Sequence, residues 1–350
     1  MDPHSHMPDK TIYLPRLSAD GFQNMATDEY LFELCRGEGI SAALRFYEWK
    51  PPAVSLGYSQ PFHLLDLEKC RERGIDVVRR MTGGGAILHC EELTYCFVIR
   101  RDSTRAGAWP KEMANAVSRS LVLGLSRLGV ESSARGGKRR RVTVEESSGS
   151  RGCVKCDRRE EPRGRRPADP GACAPGEAPH RPDQRLTDIC FMSGAENEIE
   201  VSGRKLAGCA HKFTREAFFS HGSVMTGPGH IQIVQLVRRA AGTPAGPGQA
   251  SGSSAHCGGG EGQASHGTVE NGDGEPARAV LAQGMAERSI SLSELLARLP
   301  AMDEMELAFR SAFESVFELS LRPESLSPAG AGLVAERAEE KRLTLAATAC

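Results

Sequence analysis

The segment 79-RRMTGGGAILHCEELTY-95 places two arginines before three consecutive glycines and then continues into an apolar strand. Glycine lacks a Cβ, so its backbone can take positive φ and a ligand can approach the main-chain N–H groups. Arginine carries a fixed charge on a planar donor fork that suits a carboxylate or a phosphate. The spacing is neither a Walker loop nor a dinucleotide fingerprint. Taken alone, it leaves open a plain glycine turn flanked by solvated arginines.

Length and composition place the chain among cytoplasmic globular proteins. The 350 residues allow two domains or one domain with insertions, and the net charge of -1 gives no global attraction to nucleic acid or to an acidic membrane. No apolar run is long enough to cross a bilayer, and no secretory signal is recognisable. The eleven cysteines are odd in number and scattered, which favours a reducing cytosol over a disulfide framework. Residues 1–10 are predicted to be a disordered tail.

Hydrophobic periodicity predicts one α/β domain that is interrupted twice and followed by helices. The predicted domain comprises residues 11–131 and 187–239. The predicted helices are 22–36, 62–74, 109–129, 290–300, 302–317 and 333–343, and the predicted strands are 43–49, 53–58, 75–80, 86–89, 93–100, 197–201, 204–211 and 216–225.

The two interruptions have a composition that cannot build a packed core. Residues 132–186 are rich in Arg, Pro, Gly and Glu, and residues 240–286 are rich in Gly and Ser, so both are predicted to be flexible insertions before the C-terminal helices of 287–350. The first contains the ligand types of a zinc site, but their spacing is poor for one, and no metal site is predicted. These residues are Cys153, Cys156, Cys173 and His180.

Two further segments contain chemically capable side chains. In 203-GRKLAG-208 a lysine lies between glycines on a short strand, where it can be held beside a ligand or can simply protect a sheet edge. In 188-DICFMS-193 a cysteine lies between apolar residues, where it is a nucleophile or a small buried hydrophobe. A thiol becomes reactive only beside a cation, and Lys205 would have to be the cation for Cys190.

These motifs, taken in order with 42-AALRFYEWKPPAVSLGYSQ-60 and HGSVM, resemble the catalytic domain shared by lipoate-protein ligases and octanoyl transferases, which is related to biotin-protein ligases. The resemblance covers most of the chain outside the two insertions. It implies mixed, largely antiparallel sheets flanked by helices. It also implies a choice between two chemistries, because some members transfer an octanoyl group and others activate lipoate with ATP and magnesium.

The Cys190–Phe191 pair ahead of Lys205 is similar to the cysteine-dependent octanoyl transferases typified by Gram-positive bacteria. That resemblance implies an acyl-enzyme on Cys190, with Lys205 as its cation and proton carrier and with no cofactor. Gly85 in the glycine loop and the Met192–Ser193–Gly194 turn depart from the usual transferase pattern, and the loop is closer to that of the ligases. The resemblance implies a binding role for ten other residues: Arg79, Arg80, Thr82, Gly83, Gly84, Gly85, His89, Gly208, Cys209 and Ala210.

The implied partners are octanoyl-acyl carrier protein as donor and lipoyl-domain proteins as acceptors, such as the glycine cleavage H protein and the E2 subunits of 2-oxoacid dehydrogenases. The expected state is a monomer without nucleic acid or membrane. Two alternatives stay open at this point. One is an ATP-dependent lipoate ligase, and the other is a non-catalytic relative that binds acyl groups or proteins. Biotin is a remoter substrate, because the Cys-Phe pair has no purpose in adenylate chemistry.

Overall fold

An eight-stranded mixed sheet lies at the centre of the protein in a computed structural model, which describes residues 10–37, 39–103, 109–135, 189–192, 197–238 and 275–349. A separate three-stranded sheet, in the order β4-β3-β5, lies beside it. The order of the large sheet is β11-β1-β2-β6-β10-β9-β8-β7. The strands are β1 Thr11–Ala19, β2 Ala42–Trp49, β3 Ala53–Leu56, β4 Asp76–Arg79, β5 Ile87–His89, β6 Glu92–Arg100, β7 Ser133–Ala134, β8 Ile199–Val201, β9 Arg204–Phe213, β10 Ala217–Met225 and β11 Arg322–Pro323.

The pairing of the strands is mixed. The pairs β1–β2, β1–β11 and β3–β4 are parallel, and the other pairs between these strands are antiparallel. The prediction of mixed, largely antiparallel sheets flanked by helices is therefore confirmed. The helices are α1 Gly21–Arg36, α2 Leu67–Glu72, α3 Lys111–Arg127, α4 Glu275–Arg288, α5 Leu292–Leu295, α6 Met302–Phe317 and α7 Pro328–Ala349.

Strand β6 shows why the large sheet is covered on both faces. All nine of its residues are buried, and successive side chains of a strand point to opposite faces. Tyr95 and Phe97 pack with residues of α3 and α6, such as Phe309, in one core. Cys96 and Val98 belong to a second core that contains residues of α1 and α7. Because neither face meets water, the strand is apolar almost throughout rather than alternating with charged residues.

Two predicted boundaries are corrected by the structure. The second insertion does not run to 286, because α4 begins at Glu275 and buries Met285, which is 1% exposed. The first does not begin at 132, because β7 pairs with β8 at Ser133 and Ala134. β7 is only two residues long, and α4 follows directly on a glycine-rich run, so neither element stood out in the sequence. The zinc-ligand types Cys153, Cys156, Cys173 and His180 lie outside the described residues.

Two predicted helices are also shorter than expected. The helix predicted over 62–74 is a 3₁₀ turn at Phe62–Leu64 followed by α2. Leu65 between them is extended, and Asp66 starts α2 by accepting a hydrogen bond from the Lys69 N–H at 3.2 Å. The helix predicted over 290–300 is only the single turn α5.

Replacing Phe309 with alanine tests the core between α3 and α6. Phe309 is fully buried, and Gly124 of α3 has no room for a Cβ, which would lie 2.3 Å from Phe309 Cδ1. We expect Phe309→Ala to lower the free energy of unfolding by about 3–5 kcal/mol in urea titrations, because it leaves a cavity. Leu307 in the same helix is 67% exposed, so Leu307→Ala should change the free energy of unfolding by about 0.5 kcal/mol at most. Equal losses would contradict this assignment of the core.

Candidate active site

Arg80 anchors the glycine loop from the interior and is only 5% exposed. Its Nη2 donates to the carbonyl oxygens of Gly83 and Gly85, each at 2.8 Å. Its Nη1 donates to the carbonyl and hydroxyl oxygens of Ser55 at 2.9 and 3.2 Å. Hydrogen bonds from a buried cation are stronger than neutral ones. Arg80 therefore fixes the shape of the loop, and its binding of a ligand stays a prediction.

Arg79 has the same kind of contact with the neighbouring turn. Its Nη1 donates to the carbonyl oxygens of Gly57 and Tyr58 at 3.1 and 2.9 Å and also to that of Gln60. Its guanidinium carbon lies 4.5 Å from the centroid of the Phe62 ring, a favourable cation–π geometry. The arginine pair thus organises two adjacent loops.

The close backbone approach that the three glycines predict is found within the chain itself. A Cβ on Gly57 would lie 2.1 Å from the carbonyl oxygen of Gly84. Gly84 has φ of +96°, in the region that favours glycine. The Tyr58 N–H also donates to the Thr82 carbonyl at 2.8 Å. The turn after β3 and the glycine loop therefore pack directly against each other.

The end of the glycine loop also holds the cysteine. Ala86 and Ile189 form a parallel bridge, and the Cys190 N–H donates to the Ala86 carbonyl at 2.9 Å. A short 3₁₀ turn, Cys190–Met192, follows. Phe191 is 3% exposed and packs in the core beside the small sheet. Cys190 itself is partly exposed, so its thiol is accessible while its backbone is fixed.

Lys205 of β9 reaches this turn with a buried ammonium. The residue is 4% exposed, and its Nζ lies 3.7 Å from Cys190 Sγ and donates to the Cys190 carbonyl at 3.1 Å. The same Nζ contacts the Glu198 carboxylate and lies 4.5 Å from the centroid of the Phe191 ring. Burial acts to lower the Lys205 pKa, but the charges of Cys190 and Glu198 outweigh it and raise that pKa. The side chain is therefore an ammonium at neutral pH.

Gly208 leaves open the space beside this pair. A Cβ at position 208 would lie 3.2 Å from Lys205 Cε and 3.8 Å from Cys190 Sγ. A larger side chain would therefore displace the lysine. Cys209 and Ala210 follow on β9, where they pair with Gly222 and His221 of β10. The structure brings Gly208 into the site, and the binding roles of Cys209 and Ala210 stay predictions.

Burial argues against five other described thiols as nucleophiles. It raises the pKa of Cys70 and Cys209 to about 11 and that of Cys35 and Cys90 to about 12, and it raises the pKa of Cys96 well above its usual value. These thiols stay protonated at neutral pH, and only a thiolate is a good nucleophile. Cys190 Sγ, by contrast, lies 3.7 Å from the Lys205 ammonium.

His89 lies in a buried polar network. Its Nε2 is 2.7 Å from Ser55 Oγ, its Nδ1 is 2.6 Å from Glu92 Oε1, and its ring stacks on Trp49 at 4.0 Å. Burial acts to raise the Glu92 pKa, but His89 and hydroxyl donors such as Ser223 outweigh it and lower that pKa. Both nitrogens of His89 already have partners within the protein. Its contact with a ligand stays a prediction.

Thr82 belongs to a second buried network. Its Oγ1 is 2.7 Å from His221 Nε2, and His221 Nδ1 is 3.4 Å from Asp28 Oδ2. Asp28 also pairs with Arg45 at 3.0 Å and accepts from the Tyr47 hydroxyl at 2.9 Å. Burial lowers the His221 pKa, so the imidazole is neutral at neutral pH. The network fixes the start of the glycine loop to β10.

A cavity of about 410 Å³ lies near the arginine pair but away from the thiol. Neither Cys190 nor Lys205 lines it, and neither do the three glycines of the loop. The cavity therefore does not include the cysteine–lysine pair. Its apolar walls come from Phe22, Phe32, Val77, Val78, Met81 and Leu345.

Three acidic residues of these networks were not identified as site residues from the sequence. Asp28 lies inside an amphipathic helix and Glu92 inside an apolar strand, and both are buried in ion pairs or hydrogen bonds. Glu198 precedes β8, and its carboxylate holds Lys205. An acidic residue in a predicted buried element is the one signal that sequence offers, because carboxylates are almost never buried unpaired. Within the described residues, no group of His, Cys, Asp and Glu is arranged to hold a metal ion.

Residues 20–241 match the family described as lipoyl protein ligase A/B catalytic domain. The chain belongs to this family of proteins.

Two relatives are octanoyltransferases named LipM. The LipM of Symbiobacterium thermophilum is 30% identical over 327 residues, which cover 93% of this chain and 90% of the relative. The LipM of Staphylococcus aureus is 24% identical over 93% of each chain. No helix in the described ranges is long and apolar enough to cross a membrane.

Solved structures share the fold. A bi-partite lipoate protein ligase from Thermoplasma acidophilum superposes with a TM-score of 0.59 at 16% identity, covering 95% of this chain and 93% of that one. Lipoate-protein ligase A bound with ATP gives a TM-score of 0.57 at 15% identity, with 95% of each chain covered. At these sequence identities the structural similarity establishes the fold of the domain, and the reaction has to be inferred from the residues of the site.

The pH dependence of stability tests the burial of His211 on β9. Its Nδ1 lies 3.0 Å from Ser220 Oγ, and burial lowers its pKa from 6.5 to about 4. The unfolded chain therefore binds this proton first, and the folded state loses stability as the pH falls from about 6.5 to about 4. We expect His211→Gln to flatten this part of the curve of unfolding free energy against pH.

His221 and His230 also have pKa values lowered by burial, so the slope should shrink rather than vanish. Exposed His63 provides the matched control, and His63→Gln should leave the slope unchanged. Identical slopes for wild type and His211→Gln would contradict the assignment.

Proposed function

We propose that this protein is an octanoyltransferase of lipoate biosynthesis and that it works through a thioester on Cys190. The donor is octanoyl-acyl carrier protein, and the acceptor is a lysine of a lipoyl domain. The observation that carries the mechanism is the Cys190 Sγ to Lys205 Nζ distance of 3.7 Å. The octanoyl substrate is supported by the names of the relatives, among them one that is 30% identical over most of the chain.

The first half of the reaction forms the acyl-enzyme. The Cys190 thiolate, paired with the Lys205 ammonium, attacks the thioester carbonyl of the donor and forms a new C–S bond. The old C–S bond breaks, and the departing carrier thiolate takes a proton from Lys205. Lys205 is left as a neutral amine beside the octanoyl thioester. The Nζ–Sγ distance of 3.7 Å places this proton donor beside the sulfur at which the thioester is exchanged.

The second half transfers the octanoyl group to the acceptor. The neutral ε-amine of the lipoyl domain attacks the Cys190 thioester, and an amide bond forms as the C–S bond breaks. The proton lost by the attacking nitrogen goes to Lys205, so the thiolate–ammonium pair is restored. Gly208 contributes by having no side chain where the acyl carbon must approach Sγ, since a Cβ there would lie 3.8 Å from the sulfur.

No cofactor enters this reaction, because the donor thioester is already activated. The ligase alternative requires ATP and magnesium and gives the cysteine no role. The contact between the partly exposed Cys190 thiol and the buried Lys205 ammonium favours the transferase. ATP–pyrophosphate exchange that depends on lipoate would instead support the ligase.

Intact-mass spectrometry of protein incubated with octanoyl-acyl carrier protein tests the acyl-enzyme. We expect one octanoyl adduct on wild type, mapped to the Cys190 peptide, and none on Cys190→Ser, because the hydroxyl is not ionised at neutral pH. Cys90 is another partly exposed thiol whose pKa is raised by burial, and Cys90→Ser should still form the adduct. An unmodified wild type, or normal transfer to a lipoyl domain by Cys190→Ser, would overturn the mechanism.

The variant Gly208→Ala tests the alignment of the pair without removing either reacting group. The added methyl would lie 3.2 Å from Lys205 Cε and would push the ammonium away from Sγ. The lysine need move only by a few tenths of an ångström. We therefore expect the rate of adduct formation to fall, but by less than the about 100-fold that a misplacement of about 1 Å costs. The control variant is Gly203→Asn. An added Cβ at position 203 would meet no atom within 4 Å, and asparagine tolerates the φ of +79° found there. An unchanged rate for Gly208→Ala would contradict the geometry.

A further inference from the structure

The Glu198 carboxylate is the counter-charge of the active-site lysine. Glu198 is 3% exposed, and its Oε1 contacts Lys205 Nζ. Within the described part of the chain, it is the one carboxylate that forms an ion pair with this ammonium. A buried ammonium needs such a partner, because the interior solvates charge poorly. Together with Cys190, Glu198 therefore helps to keep Lys205 charged, and it also helps to fix its position.

The backbone around Glu198 is built to hold it in place. The Arg135 N–H donates to the Glu198 carbonyl at 2.6 Å, and the Asn197 N–H donates to the Arg135 carbonyl at 2.7 Å. Asn197 has φ of 70°, a left-handed conformation that non-glycine residues adopt uncommonly. The Ser118 hydroxyl of α3 donates to the Asn197 carbonyl at 3.4 Å. Glu198 thus enters the site from a constrained turn.

The register of the two strands separates Glu198 from its neighbour Glu200. Lys205 pairs with Glu200 along the backbone, but the register is irregular between Ile199 and Glu200. The Glu200 carboxylate lies 3.1 Å from Arg135 Nη1 instead of contacting Lys205. One glutamate therefore serves the active site, and the other pairs with a half-exposed arginine. They make a matched pair for experiment.

The second carboxylate oxygen of Glu198 adds little to its placement. Oε2 is buried and has no hydrogen-bond donor among the described residues, and Arg135 Nη1 lies 3.7 Å from it. The strong contact of Glu198 is therefore the one with Lys205. The arrangement is that of a nucleophile, its proton carrier and an orienting carboxylate, which is the logic of a catalytic triad.

We propose that Glu198 is a positioning residue whose carboxylate holds the Lys205 ammonium against Cys190 Sγ, completing a Cys190–Lys205–Glu198 triad. Glu198 touches neither the thiol nor the acyl group in this role and acts through the lysine. The proposal rests on the proposed function for its catalytic meaning. The dependence of thiol reactivity on Glu198 can be measured without any octanoyl substrate.

The test is alkylation of Cys190 by iodoacetamide, followed across pH at the Cys190 peptide by mass spectrometry. We expect Glu198→Gln to slow alkylation at neutral pH by about tenfold or more and to move the midpoint of the pH profile upward. The reason is that a misplaced or deprotonated Lys205 no longer stabilises the thiolate. Glu198→Asp should recover part of the rate, and Glu200→Gln should match wild type.

The charged and titratable groups around the pair come from several elements. Arg135 follows β7, Cys209 lies on β9, Arg80 borders the glycine loop, and His230 lies 4.5 Å from the Phe191 ring. These groups are unchanged in all the variants. A shift of the profile in Glu198→Gln but not in Glu200→Gln is therefore attributable to the lost carboxylate at 198.

Several outcomes decide the matter. Wild-type alkylation kinetics in a folded Glu198→Gln protein would overturn the proposal. Should that variant fail to fold, Glu198→Asp against Glu200→Asp decides it, because only the former should be slow. If the wild type forms no octanoyl adduct but Glu198→Gln still slows alkylation of Cys190, the proposed function is overturned and the positioning role of Glu198 stands. If the wild type forms the adduct but Glu198→Gln is alkylated at the wild-type rate, the proposed function stands and the positioning role of Glu198 is overturned.

Discussion

The buried ammonium of Lys205 is the constraint around which the candidate active site is arranged. It is 4% exposed and must be compensated inside the protein. The compensation comes from two segments of the chain, since Cys190 lies in a turn tied to the glycine loop and Glu198 lies in a turn tied to β7. The ion contacts therefore join three pieces of backbone, and a shift of any one would leave a charge without a partner.

The glycine loop is also held firmly in place, although three consecutive glycines suggest a flexible backbone. Arg80 bridges the loop to β3, and the contact of Gly57 with Gly84 leaves no room for a side chain between them. His221 ties Thr82 to β10 in the same way. A loop whose groups are fixed by contacts within the protein is what a preorganised site requires, because fixed groups need no rearrangement during the reaction. The loop thus supports the cysteine turn through Ala86.

The comparison with known structures separates fold from chemistry. The neighbours include ligases whose sequences are only 15–16% identical, yet they cover 95% of this chain. The same scaffold therefore accommodates sites of different chemistry, and the side chains at a few positions decide between them. In the mechanism proposed for this protein, those positions are the thiol at 190, the ammonium at 205 and the carboxylate at 198. The first two are identified readily in the sequence, whereas the third is found only by geometry.

Sequence periodicity by itself determined most of the elements, because buried strands such as β6 and amphipathic helices such as α6 impose long patterns that local context cannot hide. Cys190 and Lys205 were singled out by the resemblance of their motifs to those of the ligase and transferase family. Periodicity missed α4, which follows directly on a glycine-rich run, and it gave no sign that Arg79 and Arg80 donate to backbone carbonyls. Tertiary structure alone decided that Glu198 rather than Glu200 meets Lys205. The physical reason is the irregular register between β8 and β9, since one displaced residue changes which side chain faces the site, and no local preference encodes it.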